Sequence, residues 1–105
     1  KIAMMAEAFY VSLAPHNPLS PLSTVICLHL DTVAPNFLIQ EMILRPERQR
    51  ILKDWEERIE NGYMQPPRGP GWGVELDEEY LRRFPYEPRK MFQIHLAEDG
   101  AVVDM

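Results

Sequence analysis

Cysteine is nearly absent: Cys27 is the only one in 105 residues. A single thiol excludes a disulfide framework and a cysteine-rich metal site. No run of lysine and arginine occurs, and the formal net charge is -5. That balance argues against nucleic acid or an anionic membrane surface as the main partner. No apolar run is long enough to span a bilayer. The opening KIAMMAEAF carries one lysine and then an apolar stretch, as a signal peptide does. Glu7 interrupts that stretch, however, and no small-residue cleavage site follows. Internal repeats and low-complexity tracts are also lacking. These absences leave a reducing, cytoplasmic setting as the expectation, with no nucleic-acid and no membrane partner.

What is present is ordinary for a folded protein. The chain is 46% hydrophobic and 26% charged, which excludes a disordered segment. Its length allows one domain at most. Proline is the exception, with 10 residues clustered at 15–21, 66–70 and 85–88. The chain also opens at Lys1 in a helical pattern with no capping residue before it, so a fragment of a longer protein is expected.

Residues Lys1 to Ala8 suit a helix, with Ile2, Met5 and Ala6 on one face. Phe9–Ala14 (FYVSLA) reads as a short strand ended by proline. Ser20 before Pro21 is a helix-start signal, and a helix is expected from Pro21 to Ala34. Its apolar face would carry Leu22, Val25, Ile26, His29 and Val33. Pro35 and Asn36 stop it, and Phe37–Gln40 (FLIQ) reads as a second short strand with Glu41 at its end. Alternating helices and short apolar strands imply a parallel α/β sheet buried on both faces. Two strands do not complete such a sheet.

After Glu41 the character changes. The stretch from Met42 to Arg58 fits either a short helix or an irregular loop. Asn61-Gly62 is a strong hairpin signal, because a type I′ turn needs positive φ at both central positions. PPRGPGWG is a turn-rich loop. Asp77 is a candidate N-cap for a short helix over ELDEEYLRR. The tail EDGAVVDM is expected to add a turn and a short strand.

In parallel α/β sheets, ligands bind beyond the carboxyl ends of the strands. His16 follows the first strand and Glu41 the second, so neighbouring parallel strands would present both at one rim. A histidine accepts a proton near neutral pH, and a nearby carboxyl group can hydrogen-bond a developing oxyanion. The pairing suits proton abstraction beside a carboxylate or carbonyl. Other reactive residues have plainer explanations. His29 lies on the apolar helix face and is expected to be buried or half-buried with its hydrogen bonds satisfied. His95 falls in the tail and is expected at the surface. Cys27 reads as a packed thiol. Trp55 and Trp72 read as packing anchors, with substrate contact conceivable for Trp72. Asp77, Glu78 and Glu79 read as a solvated helix start.

The run VSLAPHNPLSPLSTVICLHLDTVAPNFLIQE resembles the barrel end of the enolase superfamily, mandelate racemase subgroup. It is most similar to the galactonate dehydratase-like sugar-acid dehydratases, in which a PHxPLGP stretch, a helix and a strand ending in QE follow one another. NGYMQPPRGPGWGVELDEEYL resembles that family's later segment, with its GPGLG loop and acidic helix start. The resemblance covers residues 1–83. Ser20 stands where the family pattern has glycine, and Trp72 where it has leucine.

The resemblance implies that residues 1–44 are the end of a (β/α)8 TIM-type barrel, strands 7 and 8 with their helices. Residues 45–105 would be a loop and the C-terminal segment of the α+β capping domain. It implies a Mg²⁺-dependent lyase of carbohydrate-acid breakdown that removes the proton alpha to a carboxylate. The resulting enediolate would lose water to give a 2-keto-3-deoxy acid. His16 matches the base, and Glu41 the acid that hydrogen-bonds the substrate carboxylate. The metal ligands would lie upstream of residue 1, with none in this chain, and the full-length protein is expected to be a homo-oligomer. A whole barrel needs about 250 residues, so the 105-residue fragment would be inactive alone. Two other functions compete: a racemase, epimerase or cycloisomerase of the same superfamily, and a free-standing binding module without catalysis.

Overall fold

The computed structural model describes residues 1–44 and 50–88. Three helices are present there: α1 (Ile2–Glu7), α2 (Pro21–Val33) and α3 (Glu78–Arg83). The expected helix at the start is α1, which has no side-chain cap and no buried residue. Helix α2 starts as the sequence predicts. Ser20 is extended, its hydroxyl accepts from the Ser23 N–H at 3.4 Å, and Pro21 occupies the first turn.

The two short strands are corrected to a single parallel bridge, Leu13 with Phe37. The Leu13 N–H donates to Asn36 O at 2.7 Å, and the Leu38 N–H donates to Leu13 O at 2.9 Å. The first half of FYVSLA cannot extend, because the chain is still unwinding from α1. Tyr10 sits at φ 57, and the Val11 N–H donates back to Ala6 O. A lone parallel pair also offers few ladder bonds without further strands beside it. The parallel sense is as expected; the strand lengths are not.

The buried face of α2 also differs from the expected one. Pro21, Thr24, Val25 and Leu28 are buried, while Ile26 and Val33 are exposed. Burial follows Thr24 because its hydroxyl is hydrogen-bonded, which a hydrophobic pattern does not register. Among the described residues, the buried hydrophobic side chains are Val25, Leu28 and Leu52. Ile2, Phe9 and Leu38 are largely exposed, and Tyr10 is 99% exposed. The radius of gyration is 17.6 Å, against about 13 Å for a compact domain of this length.

Beyond residue 50, Leu52 pairs antiparallel with Leu76, through Lys53 N–H to Glu75 O and Asp77 N–H to Ile51 O. The expected hairpin forms: Glu60 and Tyr63 exchange both backbone bonds, with Asn61 at φ 52 and Gly62 at φ 82. Helix α3 is capped by Asp77, whose carboxylate accepts from the Tyr80 N–H at 2.9 Å. Glu78 pairs with Arg82 and Glu79 with Arg83, one turn on. Acids at its start and bases at its end both oppose the helix dipole. The expected turn and strand of the tail, and His95, lie outside the described residues.

Candidate active site

His16 and Glu41 follow Leu13 and Phe37 on the two limbs of the parallel bridge, so both lie beyond its carboxyl end. The structure brings them into contact: His16 Nδ1 stands 2.5 Å from Glu41 Oε2. The same oxygen accepts the backbone N–H of Asn17 at 2.8 Å. Gln40 ties the limbs a second time, donating from Nε2 to Pro15 O at 3.0 Å and to Glu41 O at 2.8 Å. Asn36 does similar work at the other end of the bridge, donating from Nδ2 to Val11 O and Ala3 O. The imidazole is 79% exposed and the Glu41 side chain 43% exposed. The pair is therefore fixed from behind by backbone and open in front.

Asn17 and Thr24 are the buried polar residues among those described, at 3% and 2% exposure. Asn17 Nδ2 donates to Thr24 Oγ1 at 2.9 Å. Thr24 Oγ1 donates in turn to Glu57 Oε1 in a short hydrogen bond. None of these three residues stands out in the sequence. The available signal was only that Thr24 lies in the first turn of a helix that starts just beyond His16.

His29 is half-buried, as expected, with Nε2 3.1 Å from Trp72 O and the two rings 5.6 Å apart. Trp72 thus packs on α2, with half of its surface still exposed. Trp55 is half-buried. Cys27 is a half-buried free thiol. Burial, and secondarily the charge of Asp31, push its pKa up. Both carboxylate oxygens of Asp31 are shielded from solvent with no partner among the described residues. Burial raises its pKa to about 6. Asp77, Glu78 and Glu79 are taken up by capping and by α3 ion pairs. Among the described residues no three His, Cys, Asp or Glu side chains gather where a metal ion could be held. The described residues thus do not form a Mg²⁺ site.

A parallel pairing joined through a helix, with a histidine and a glutamate beyond its carboxyl end, defines the rim of an α/β sheet or barrel. Comparison with known proteins gives the family. The family model of the enolase C-terminal domain-like proteins matches residues 1–80, and the chain belongs to that family. It is 45% identical over 85 residues to a D-galactonate dehydratase of Ralstonia pickettii, covering 74% of this chain and 22% of that protein. A D-galactonate dehydratase family member of Streptomyces bingchenggensis is 38% identical over 108 residues, covering 99% of this chain and 26% of that protein. Among solved structures, an enolase from Agrobacterium radiobacter with bound sodium and L-malate superposes with a TM-score of 0.77 at 32% identity. That match covers 96% of this chain and 29% of the other. The chain thus spans about a quarter of the length of these relatives. No helix among the described residues is long and apolar enough to cross a membrane.

Proposed function

We propose that this chain is the C-terminal quarter of an enolase-superfamily sugar-acid dehydratase, and that His16 and Glu41 are its contribution to the active site. The observation that carries this is the 2.5 Å contact between His16 Nδ1 and Glu41 Oε2 at the carboxyl end of the parallel bridge. In this reading residues 1–44 supply the end of the barrel, and residues 45–105 a loop and the C-terminal segment of the capping domain. The small buried core and the buried acceptors without donors among the described residues, Asn17 Oδ1, Asn36 Oδ1 and Gln40 Oε1, support completion by further protein. They weigh against a free-standing binding module, which would need a core of its own.

The chemistry follows from the contact. When Nδ1–H donates to Glu41, the imidazole is held as the tautomer whose lone pair is on Nε2. Nε2 is then the ring nitrogen that takes the proton from the carbon alpha to a substrate carboxylate, on an imidazole that is 79% exposed. The C–H electron pair moves into the new carbon-carbon double bond of an enediolate. Glu41 Oε1 is the atom left to meet the substrate carboxylate, and a protonated carboxyl can donate there. The double bond then re-forms toward the β-carbon, the C–O bond breaks, and the β-hydroxyl leaves as water with a proton from a general acid. The enol product tautomerises to a 2-keto-3-deoxy acid. Mg²⁺, which enolase-superfamily sites use with a lysine or histidine base, would supply charge stabilisation from ligands outside this chain. Two of the relatives described are named galactonate dehydratases or members of that family, and the Agrobacterium enolase holds a hydroxy-dicarboxylate; both favour a hydroxy-acid substrate.

The test uses the full-length protein with Mg²⁺ and D-galactonate in D₂O, followed by NMR. Loss of the alpha proton signal with formation of a 2-keto-3-deoxy acid is expected, and His16→Asn should abolish both. Exchange without water loss would instead indicate a racemase or epimerase. Unchanged exchange in His16→Asn would overturn the assignment of the base.

A further inference from the structure

We propose that Asn17, Thr24 and Glu57 are positioning residues for the His16–Glu41 pair, acting as one directed chain of hydrogen bonds from the rim to the segment beyond residue 50. This rests on the proposed roles of His16 and Glu41.

The chain has a direction. A threonine hydroxyl has one proton. Thr24 Oγ1 has two acceptors in reach, Ser20 O at 3.4 Å and Glu57 Oε1 in a short contact. The carboxylate is the nearer and stronger acceptor, so the proton goes there. Thr24 Oγ1 is then left as an acceptor, which turns the Asn17 amide nitrogen toward it, at 2.9 Å. With the Asn17 side chain held, its backbone N–H points at Glu41 Oε2, the atom that also meets His16. One anionic acceptor on a distant segment thereby sets the orientation of an amide in the loop between Pro15 and Pro18.

The middle of the chain is buried: Asn17 and Thr24 are 3% and 2% exposed, and the recess they line with Pro21 and Glu57 has no room for a water molecule. The buried Asn17–Thr24 bond resists replacement by solvent, so removing the Thr24 hydroxyl leaves the Asn17 amide unsatisfied. His16 itself is 79% exposed and has little packing to hold it. Its placement depends on the loop backbone and on Glu41, both of which the chain fixes. Proton transfer is sensitive to such placement: a displacement of about 1 Å can cost on the order of a hundred-fold in rate.

The test uses the full-length enzyme and four variants: Thr24→Val, Thr24→Ser, Glu57→Ala and the double variant Thr24→Val/Glu57→Ala. Two readouts are taken: steady-state turnover of D-galactonate with Mg²⁺, and the pH profile of His16 carbethoxylation by diethyl pyrocarbonate, resolved by peptide mass spectrometry. Thr24→Val should lower kcat by about ten- to a hundred-fold with little change in KM, and should change the His16 carbethoxylation profile. Thr24→Ser, which keeps the hydroxyl, should restore both. Glu57→Ala should match Thr24→Val, and the double variant should be no worse than either, because both break one chain. A loss of thermal stability in Thr24→Val with an unchanged His16 profile would mean a merely structural role and would overturn the proposal. So would additive effects in the double variant. If the wild type turns over no sugar acid, the proposed function falls, and the His16 profile still decides whether the chain positions the ring.

Discussion

The carbonyl oxygen of Trp72 lies 3.1 Å from Nε2 of His29, and the two rings sit 5.6 Å apart. This contact holds the GPGWG loop against α2, a second tie beside the Thr24–Glu57 bond. Because the acceptor is a backbone carbonyl, the two residues contribute differently. His29→Leu removes the hydrogen bond, and Trp72→Leu keeps it while removing the ring contact. In the full-length protein, His29→Leu should speed amide hydrogen exchange at Gly73, whose N–H donates to Pro70 O, corresponding to about 0.5–1.5 kcal/mol of local stability. Trp72→Leu should speed it less. Equal exchange in wild type and His29→Leu would show that the bond does not hold the loop.

Within that loop, two glycines are held at positive φ for different reasons. Gly71 is at φ +62 with nothing near the position a Cβ would take. Gly73 is at φ +71, and a Cβ there would meet the Pro67 carbonyl oxygen at 3.1 Å. Gly71→Ala should therefore cost only backbone strain, about 1 kcal/mol. Gly73→Ala should cost more, about 2–3 kcal/mol, because strain and a fixed backbone neighbour act together. Unfolding midpoints of the two variants would rank them, and the reverse order would contradict the loop geometry.

Ser20 caps α2 through a bond of 3.4 Å to the Ser23 N–H, a long bond and therefore a weak one. Ser20→Gly, the residue of the resembling family pattern, should cost only a few tenths of a kcal/mol, whereas Ser20→Ala should cost about 0.5–1 kcal/mol. Denaturant midpoints would separate the two; a larger loss with glycine than with alanine would mean that the cap is not the role of Ser20.

Glu41 can be separated from its backbone setting by Glu41→Gln. The amide oxygen can still accept from Asn17 and the amide nitrogen can still donate, but the carboxyl proton that could be passed to the substrate is lost. Turnover should fall by about 10²–10⁴-fold, the range of a lost acid-base group, while the fold is kept. Near-wild-type turnover would remove Glu41 from the chemistry.

Local chemistry made the helix starts and the hairpin legible before the structure. Ser20-Pro21, Asp77 and Asn61-Gly62 each act through their own backbone neighbours, and each is where it was expected. The meeting of His16 and Glu41 was legible for a related reason, since parallel pairing puts the ends of both limbs at one rim. The strand lengths were not legible, because ladder bonds depend on what lies alongside and Phe9–Ala14 meets α1 first. The buried face of α2 was missed because Thr24 is buried by its hydrogen bonds to Asn17 and Glu57, not by apolar character. Periodicity cannot show a partner 33 positions away.

Asp31 gives a pH dependence whose sign follows from its burial. Both carboxylate oxygens are shielded and lack a partner among the described residues, and the pKa rises from 3.8 to about 6. Between those values the folded chain keeps the proton while the unfolded chain has released it. The folded state then binds more protons, so this group makes stability fall as pH rises through the window. Below about pH 4 it carries no penalty, and above about pH 6 the penalty is complete. Asp31→Asn removes the charge at nearly constant shape. It should leave the unfolding midpoint unchanged at pH 4 and raise it at pH 7, with the two curves separating in between. The same substitution removes one of the two causes that push the Cys27 thiol up, the lesser of them after burial. Cys27 should therefore alkylate faster in the variant at neutral pH, since the thiolate is the reactive form. A variant less stable than wild type at pH 7, with Cys27 unchanged, would mean that Asp31 is paired with a cation in the full-length protein.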